Sequence, residues 1–198
     1  MVGLQRYGPR IAWPVGRFPD PYQTVVQAGL GVTIAVWVLW ACTQDGDPAP
    51  LPYVPFLNPI ETAQAFGLVS IALWWNRAGT GGIGTDAAAS DRLGPTRGPM
   101  VSAAQAIVAF AALNAMVGRI VHVYLGVPYN PIALVDSAAF QAGISMLWAM
   151  TALSIMTVAS RRALRDPWFV GAVLLGLLTV KLFLVDLGTV GTIGRIVS

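Results

Sequence analysis

Five apolar stretches, each nearly free of charge, fill most of this chain, and the basic residues gather on one side of the turns between them. The stretches are Thr24–Cys42, Pro59–Trp75, Met100–Val123, Ser137–Ser160 and Trp168–Leu187. Each is close to the roughly 20 residues that a helix needs to cross a bilayer. Of the 198 residues, 56% are hydrophobic and only 11% are charged, whereas a water-soluble domain carries about a quarter charged residues. The pattern predicts an all-α polytopic transmembrane bundle of about five spans, with the lipid bilayer as its solvent.

Orientation follows from the arginines. Assigning the connecting segments alternately to two sides gives one side Arg6, Arg10, Arg17, Arg77, Arg92, Arg97, Arg161, Arg162 and Arg165, and the other side only Arg195. Short basic loops stay cytoplasmic, so residues 1–23 are expected inside and the tail 188–198 outside. The loops Cys42–Pro59 and Tyr124–Asp136 then face outward. The net charge of +3 is spread over several loops and not gathered into a patch, which argues against nucleic acid as a partner. Met1–Gln23 is broken by Pro9, Pro14, Pro19 and Pro21 and has no continuous apolar core of a signal peptide. Cys42 is the single cysteine, so neither an intrachain disulfide nor a cysteine-built metal site can form.

The outer segment Leu51–Ile60 is apolar but holds Pro52, Pro55 and Pro59, a density that prevents a helix. Such a stretch belongs at the outer interface or dips into the bundle, where its backbone finds partners. It ends in a helix start, with Asn58 as N-cap, Pro59 at the first position and Glu61 at the third, similar to a capping box. Asn130-Pro131 repeats the theme on the same face. Asn76–Pro99 is rich in Gly, Ala, Asp and Thr and reads as a cytoplasmic loop. Small residues such as Ala111 and Ala115, Gly29 and Gly31, and Gly171 and Gly176 let helix backbones approach where no hydrophobic force drives packing. Trp37 and Trp40 near one face, and Trp74 and Trp75 near the other, read as interfacial anchors.

Ionisable groups inside spans are expensive and default to functional candidates. Glu61 and Gln64 open the second span, Arg119 and His122 lie near the outer end of the third, and Lys181 and Asp186 lie in the outer part of the fifth. All fall in the outer half of the bilayer. Arg119 and His122, three apart, share a helix face. Lys181 and Asp186 point in different directions, and Lys181 is expected to meet Glu61 or Asp136. Glu61, Arg119, His122, Lys181 and Asp186 are therefore the candidate substrate-binding residues. The plainer alternatives are snorkelling for Arg119 and Lys181, a capping role for Glu61, a solvated end charge for Asp186, and a loop hydrogen bond for His122. No metal site and no cofactor is indicated. Whether the chain is an enzyme stays open, since GxSxG, HExxH and phosphate-loop patterns are absent. Gly79–Gly84 resembles a dinucleotide loop only superficially, because it follows a membrane helix and precedes no strand.

Three stretches carry a family resemblance: Asp47–Glu61, Leu125–Tyr129 and Lys181–Leu187. Over approximately residues 45–198 the chain resembles the C-terminal region of the domain of unknown function 2339 family of predicted bacterial polytopic membrane proteins. Gly194–Ser198 is similar to the opening of the next helix there. The resemblance implies a longer protein with more spans, and it directs attention to Pro52, Pro55, Asn58, Glu61, Tyr129, Lys181 and Asp186. An odd number of spans points the same way, to a part that needs further transmembrane helices of the same protein or of a partner.

Three functions fit these features: a part of a transport or envelope-assembly machine in the bacterial inner membrane with a polar site in the outer leaflet, a transferase acting on lipid-linked sugars or acyl groups, and a scaffold whose charges pair helices. The first is favoured narrowly, because charges within spans beside broken apolar loops resemble transporter sites. Single cysteines introduced at Asp45 and Ala88 of a Cys42→Ser protein test the orientation. Position 45 should react with an impermeant maleimide from outside and position 88 only from the cytoplasm, and the reverse would invert the topology.

Overall fold

The computed structural model describes residues 25–79 and 97–186. The expectations for residues 1–23, for the loop arginine Arg92, for the side chain of Asp186 and for the tail 188–198 lie outside the described residues. Among the described residues six helices appear in order: α1 (Val25–Ala41), α2 (Pro59–Gly79), α3 (Arg97–Leu125), α4 (Pro131–Asp136), α5 (Ala138–Arg161) and α6 (Arg165–Lys181), with one π-helical turn at Leu182–Asp186. No strand occurs among the described residues. Three segments are apolar and long enough to cross a bilayer: Val101–Leu125, Ala138–Arg161 and Arg165–Leu184. Helix α1 is apolar but shorter, and α2 is diluted by Glu61, Gln64, Asn76 and Arg77.

The chain divides into two compact units, Met1–Tyr129 and Asn130–Ser198. In the first, α1, α2 and α3 pack against one another. The register of α1 against α2 is fixed at two levels. Gln64 Nε2 donates to the Val38 carbonyl (3.1 Å), and Gly67 leaves so little room that an added Cβ would stand 2.8 Å from Ile34 Cγ2. Helix α3 joins through Gln105 Nε2, which donates to the Leu68 carbonyl (2.8 Å). The outward faces stay apolar: Val32, Phe66 and Ile107 are each about two-thirds exposed, as helix faces bathed in lipid require.

The second unit is built on the α5–α6 hairpin. Ser137 caps α5 through Phe140 N (3.4 Å). At its other end the Ala163 backbone turns left-handed (φ 53°), and the N–H groups of Ala163 and Leu164 return to the carbonyls of Ser160 and Ala159. That is the Schellman closure of a helix, which needs one residue in the left-handed region. The seam runs through the buried Ile144, Ala152 and Ala159 on α5 and Gly171 and Leu178 on α6. Small residues bring the backbones close where dispersion and weak polar contacts must hold helices together.

Asn130-Pro131 starts a helix as its sequence predicts, with Asn130 Oδ1 accepting from Ala133 N (2.8 Å), and that helix is the short α4. Two other expectations need adjusting. Gly29 and Gly176 face open space, while Gly171 is packed. Trp74 is buried and so is not a lipid-facing anchor; packing of α2 against its neighbours has claimed it.

The α5–α6 seam gives a direct test. A Cβ at position 171 would stand 2.6 Å from Met156 Cγ and 2.9 Å from the Ala152 carbonyl, so Gly171→Ala should destabilise by about 1–3 kcal/mol through overpacking. Gly176→Ala, in open space, should be neutral or slightly stabilising. Denaturation of the two variants in detergent, followed by circular dichroism, checks the contrast.

Candidate functional site

Helix α1 ends with carbonyls that no further turn can bond, and its C-terminus carries the negative end of the helix dipole. Helix α2 starts beside it with the opposite need. The polar residues of the first unit meet at this junction. Arg119, from α3, is fully buried. Its Nη2 donates to the Ala41 carbonyl (2.6 Å) and its Nε to the Gln44 carbonyl (3.1 Å). Its Nη1 faces Gln64 Oε1 (3.4 Å) and Glu61 Oε1 (3.6 Å). One guanidinium thus closes the end of α1 and neutralises the carboxylate at the start of α2.

Glu61 is held as firmly. Its Oε1 accepts from the Tyr53 hydroxyl (2.6 Å) and its Oε2 from Phe56 N (2.7 Å). Asn58 caps α2 as its sequence position predicts, accepting from Ile60 N (3.0 Å). The capping-box analogy fails at Glu61, whose carboxylate takes the N–H of Phe56 in place of that of Asn58. Phe56 has a left-handed backbone (φ 67°), which turns the preceding loop back across the helix start.

The proline-rich loop is fastened from three directions. Asn58 Nδ2 donates to the Gly46 carbonyl (2.6 Å), the Tyr124 hydroxyl donates to the Tyr53 carbonyl (3.0 Å), and the Tyr129 hydroxyl donates to the Cys42 carbonyl (2.7 Å). Tyr53 and Tyr124 also meet edge to face, with ring centroids 6.0 Å apart. Gly46 has φ +72°, and an added Cβ there would lie 3.0 Å from both Cδ and Nε of Arg119. Both the backbone conformation and the contact therefore require glycine. Burial, and next the hydrogen bond to Glu61, push the Tyr53 hydroxyl's pKa well above the ordinary tyrosine value. Burial does the same for Tyr129. Both phenols stay protonated and able to donate at neutral pH.

His122 Nδ1 lies 2.7 Å from the Val127 carbonyl. A carbonyl only accepts, so Nδ1 carries the proton. The ring meets Tyr129 edge to face at 5.9 Å. The loop-bonded reading of His122 is the one that the geometry matches.

Of the sequence candidates, Glu61, Arg119 and His122 share one end of the first unit. Lys181 belongs to the second, where Nζ donates to the Gln141 carbonyl (2.9 Å) and Ser145 Oγ (2.6 Å). Among the described residues Arg119–Glu61 is the only ion pair, so Lys181 has no carboxylate there, Asp136 included. Asp186 lies in the π-helical turn after α6. No group of residues suited to a metal ion occurs among the described residues. The sequence reading missed Gln44, Gly46, Tyr53 and Tyr124. Gln64, one helical turn from Glu61 on the same face, was within reach of that reading.

If the pair is structural, its partners are coupled. Arg119→Met should cost about 3–5 kcal/mol, because it strands a buried carboxylate. Arg119→Met combined with Glu61→Gln should cost clearly less than the sum of the single changes. Denaturation of the four proteins in detergent measures the coupling, and strictly additive losses would mean that the two groups act independently.

Comparison with known proteins agrees with this architecture. Residues 10–198 match the family model described as predicted membrane protein (DUF2339), so the match begins upstream of α1 and takes in all the helices above. No curated protein and no solved structure gives a match. The chain belongs to the DUF2339 family of membrane proteins.

Proposed function

We propose that this DUF2339 member is a non-catalytic, multi-pass module of a larger transport or envelope-assembly protein of the bacterial inner membrane. In this reading it has five spans, a cytoplasmic N-terminus and further transmembrane helices as partners. Glu61, Arg119 and His122 build a rigid outer cap. The nine-to-one division of loop arginines supports the orientation.

The observation that carries the reading is the saturation of Arg119. A guanidinium that already donates to the carbonyls of Ala41 and Gln44 and faces Gln64 and Glu61 has little left for a substrate phosphate or carboxylate. Both oxygens of Glu61 are likewise engaged, which weakens its candidacy as the base of a transferase. Contact with a polar substrate in the outer leaflet falls instead to Lys181 and Asp186, since the Lys181 ammonium is met by neutral oxygens alone among the described residues.

Complementation separates a cap from a substrate site. In a host strain lacking the full-length protein, Arg119→Met alone should abolish both folded protein and rescue of the envelope defect. Arg119→Met combined with Glu61→Leu, an apolar replacement of the buried pair of the kind proteins often tolerate, should restore both together. A double variant that is folded and abundant yet fails to rescue would place the two charges in contact with substrate and overturn the proposal.

A further inference from the structure

The proline-rich loop turns polar atoms inward and four large apolar side chains outward. Leu51 N–H donates to the Pro48 carbonyl, Leu57 and Asn58 N–H to the Val54 carbonyl, and Phe56 N–H to Glu61. Pro52 and Pro55 have no N–H to satisfy. The carbonyls of Tyr53 and Phe56 accept from the hydroxyls of Tyr124 and Thr62. These bonds answer backbone groups that lipid could not. Leu51, Val54, Phe56 and Leu57, by contrast, are exposed, Phe56 at 65% and Leu57 at 76%, and no charged residue stands between Asp47 and Glu61.

Phe56 is the sharpest of the four. Its backbone is left-handed (φ 67°), a conformation that glycine adopts freely and a bulky residue only at a cost. Its bonds to Glu61 and from Thr62 use backbone atoms, which glycine would also supply. What phenylalanine adds is an exposed ring. Helix α3 measures the depth of the loop. Arg119 is level with the end of α1 through Ala41 and Gln44, and Tyr124 reaches Tyr53. Those five residues of α3 rise about 8 Å. The loop thus stands beside the last turn and a half of α3, within the apolar segment Val101–Leu125, where α1 has already ended. Trp40 and Tyr124, both exposed, mark its two levels. Exposed indole and phenol rings belong at the boundary between acyl chains and headgroups.

We infer that this loop is an interfacial wedge, its backbone at the boundary and Leu51, Val54, Phe56 and Leu57 inserted among the acyl chains of the leaflet at this end of the first unit. The inference rests on the reading of the chain as bilayer-spanning. What covers the wedge is lipid and not a further transmembrane helix. Helices pack in membranes through small residues that let backbones approach, as Gly171 does against Ala152. This surface instead presents leucine, valine and phenylalanine between prolines. Acyl chains are fluid and conform to such a surface, and the loop asks nothing polar of them on this side.

The test uses the full-length protein, freed of its other cysteines and reconstituted in vesicles of phosphatidylcholine and phosphatidylglycerol. A nitroxide is attached in turn at Leu51→Cys, Val54→Cys and Leu57→Cys. Asp47→Cys, at an exposed charged position of the same loop, is the reference for water, and Ile107→Cys, on an exposed face of α3, the reference for lipid. Oxygen concentrates among acyl chains and a nickel chelate stays in water, so their collision rates with the nitroxide tell the two environments apart. The oxygen-to-nickel ratio at the three wedge positions should exceed that at Asp47 several-fold and approach that at Ile107. Adding Phe56→Gly to the Val54→Cys protein should lower the ratio there without loss of folded protein, because the backbone bonds stay and only the inserted ring is lost. Nickel-dominated collisions at the wedge positions, with Ile107 still oxygen-dominated, would put the loop in water and overturn the wedge alone. Nickel-dominated collisions at Ile107 would instead overturn the bilayer-spanning reading beneath it. Wedge labels immobilised and shielded from both reagents would mean that protein covers the loop, which also overturns the inference.

Discussion

A guanidinium buried among membrane helices is tolerable only when its donors find oxygens, and Arg119 finds its own where one helix stops and the next begins. The C-terminal carbonyls of α1 need donors and attract positive charge, while the N-terminus of α2 attracts negative charge. Arg119 donates to Ala41 and Gln44 at the first and faces Glu61 at the second. Each member thus removes a penalty that another would otherwise suffer. The loop between the helices is then committed to a path: Gly46 must pass against the arginine side chain, and Asn58 must reach back to the Gly46 carbonyl. Tyr53 must turn inward to Glu61. Helix α3 supplies the arginine and Tyr124, and the loop after it supplies Tyr129, so the course of the loop between α1 and α2 is organised around a single buried cation.

The second unit handles its intramembrane cation differently. Lys181 is a compact ammonium with three donors, and two of them meet a backbone carbonyl and a serine hydroxyl one turn apart on α5. Neutral acceptors lower the cost of the charge without cancelling it. Gly171, seated against Ala152 and Met156, brings α5 and α6 together by shape, as small residues do where lipid offers no hydrophobic drive to association. One unit is organised by a charge and the other by a missing side chain.

Polar side chains in the first unit sort by whether they are answered. Gln64 and Gln105 each reach a backbone carbonyl on a neighbouring helix and so act as ties between helices. Gln27, in the same three-helix unit, reaches none. The three are chemically identical and all lie in predicted spans, so their different fates come from what the neighbouring helix presents at each level.

The helices were legible from the chain because lipid imposes a simple rule: long uncharged runs must hydrogen-bond to themselves. Helices α3, α5 and α6 lie within a few residues of the stretches read from composition, and the caps at Asn58, Asn130 and Ser137 are local chemistry. The special standing of Glu61, Arg119 and Lys181 was equally plain, since a charge in a span is costly wherever its partner lies. The partners were not legible. Gln44 and Gly46 meet Arg119 across long sequence separations, Tyr53 reaches Glu61 only through the fold of the loop between them, and nothing local marks a loop glycine or glutamine as the neighbour of a distant arginine. The burial of Trp74 was hidden for the same reason, because tryptophan suits both the lipid interface and a packed core. Sequence by itself determined the solvent, the helices and the residues too expensive to be accidental, all of which depend on composition along a short window. Only the tertiary structure decided which oxygens answer which donors, because that depends on the relative rotation and level of helices that adjoin in space.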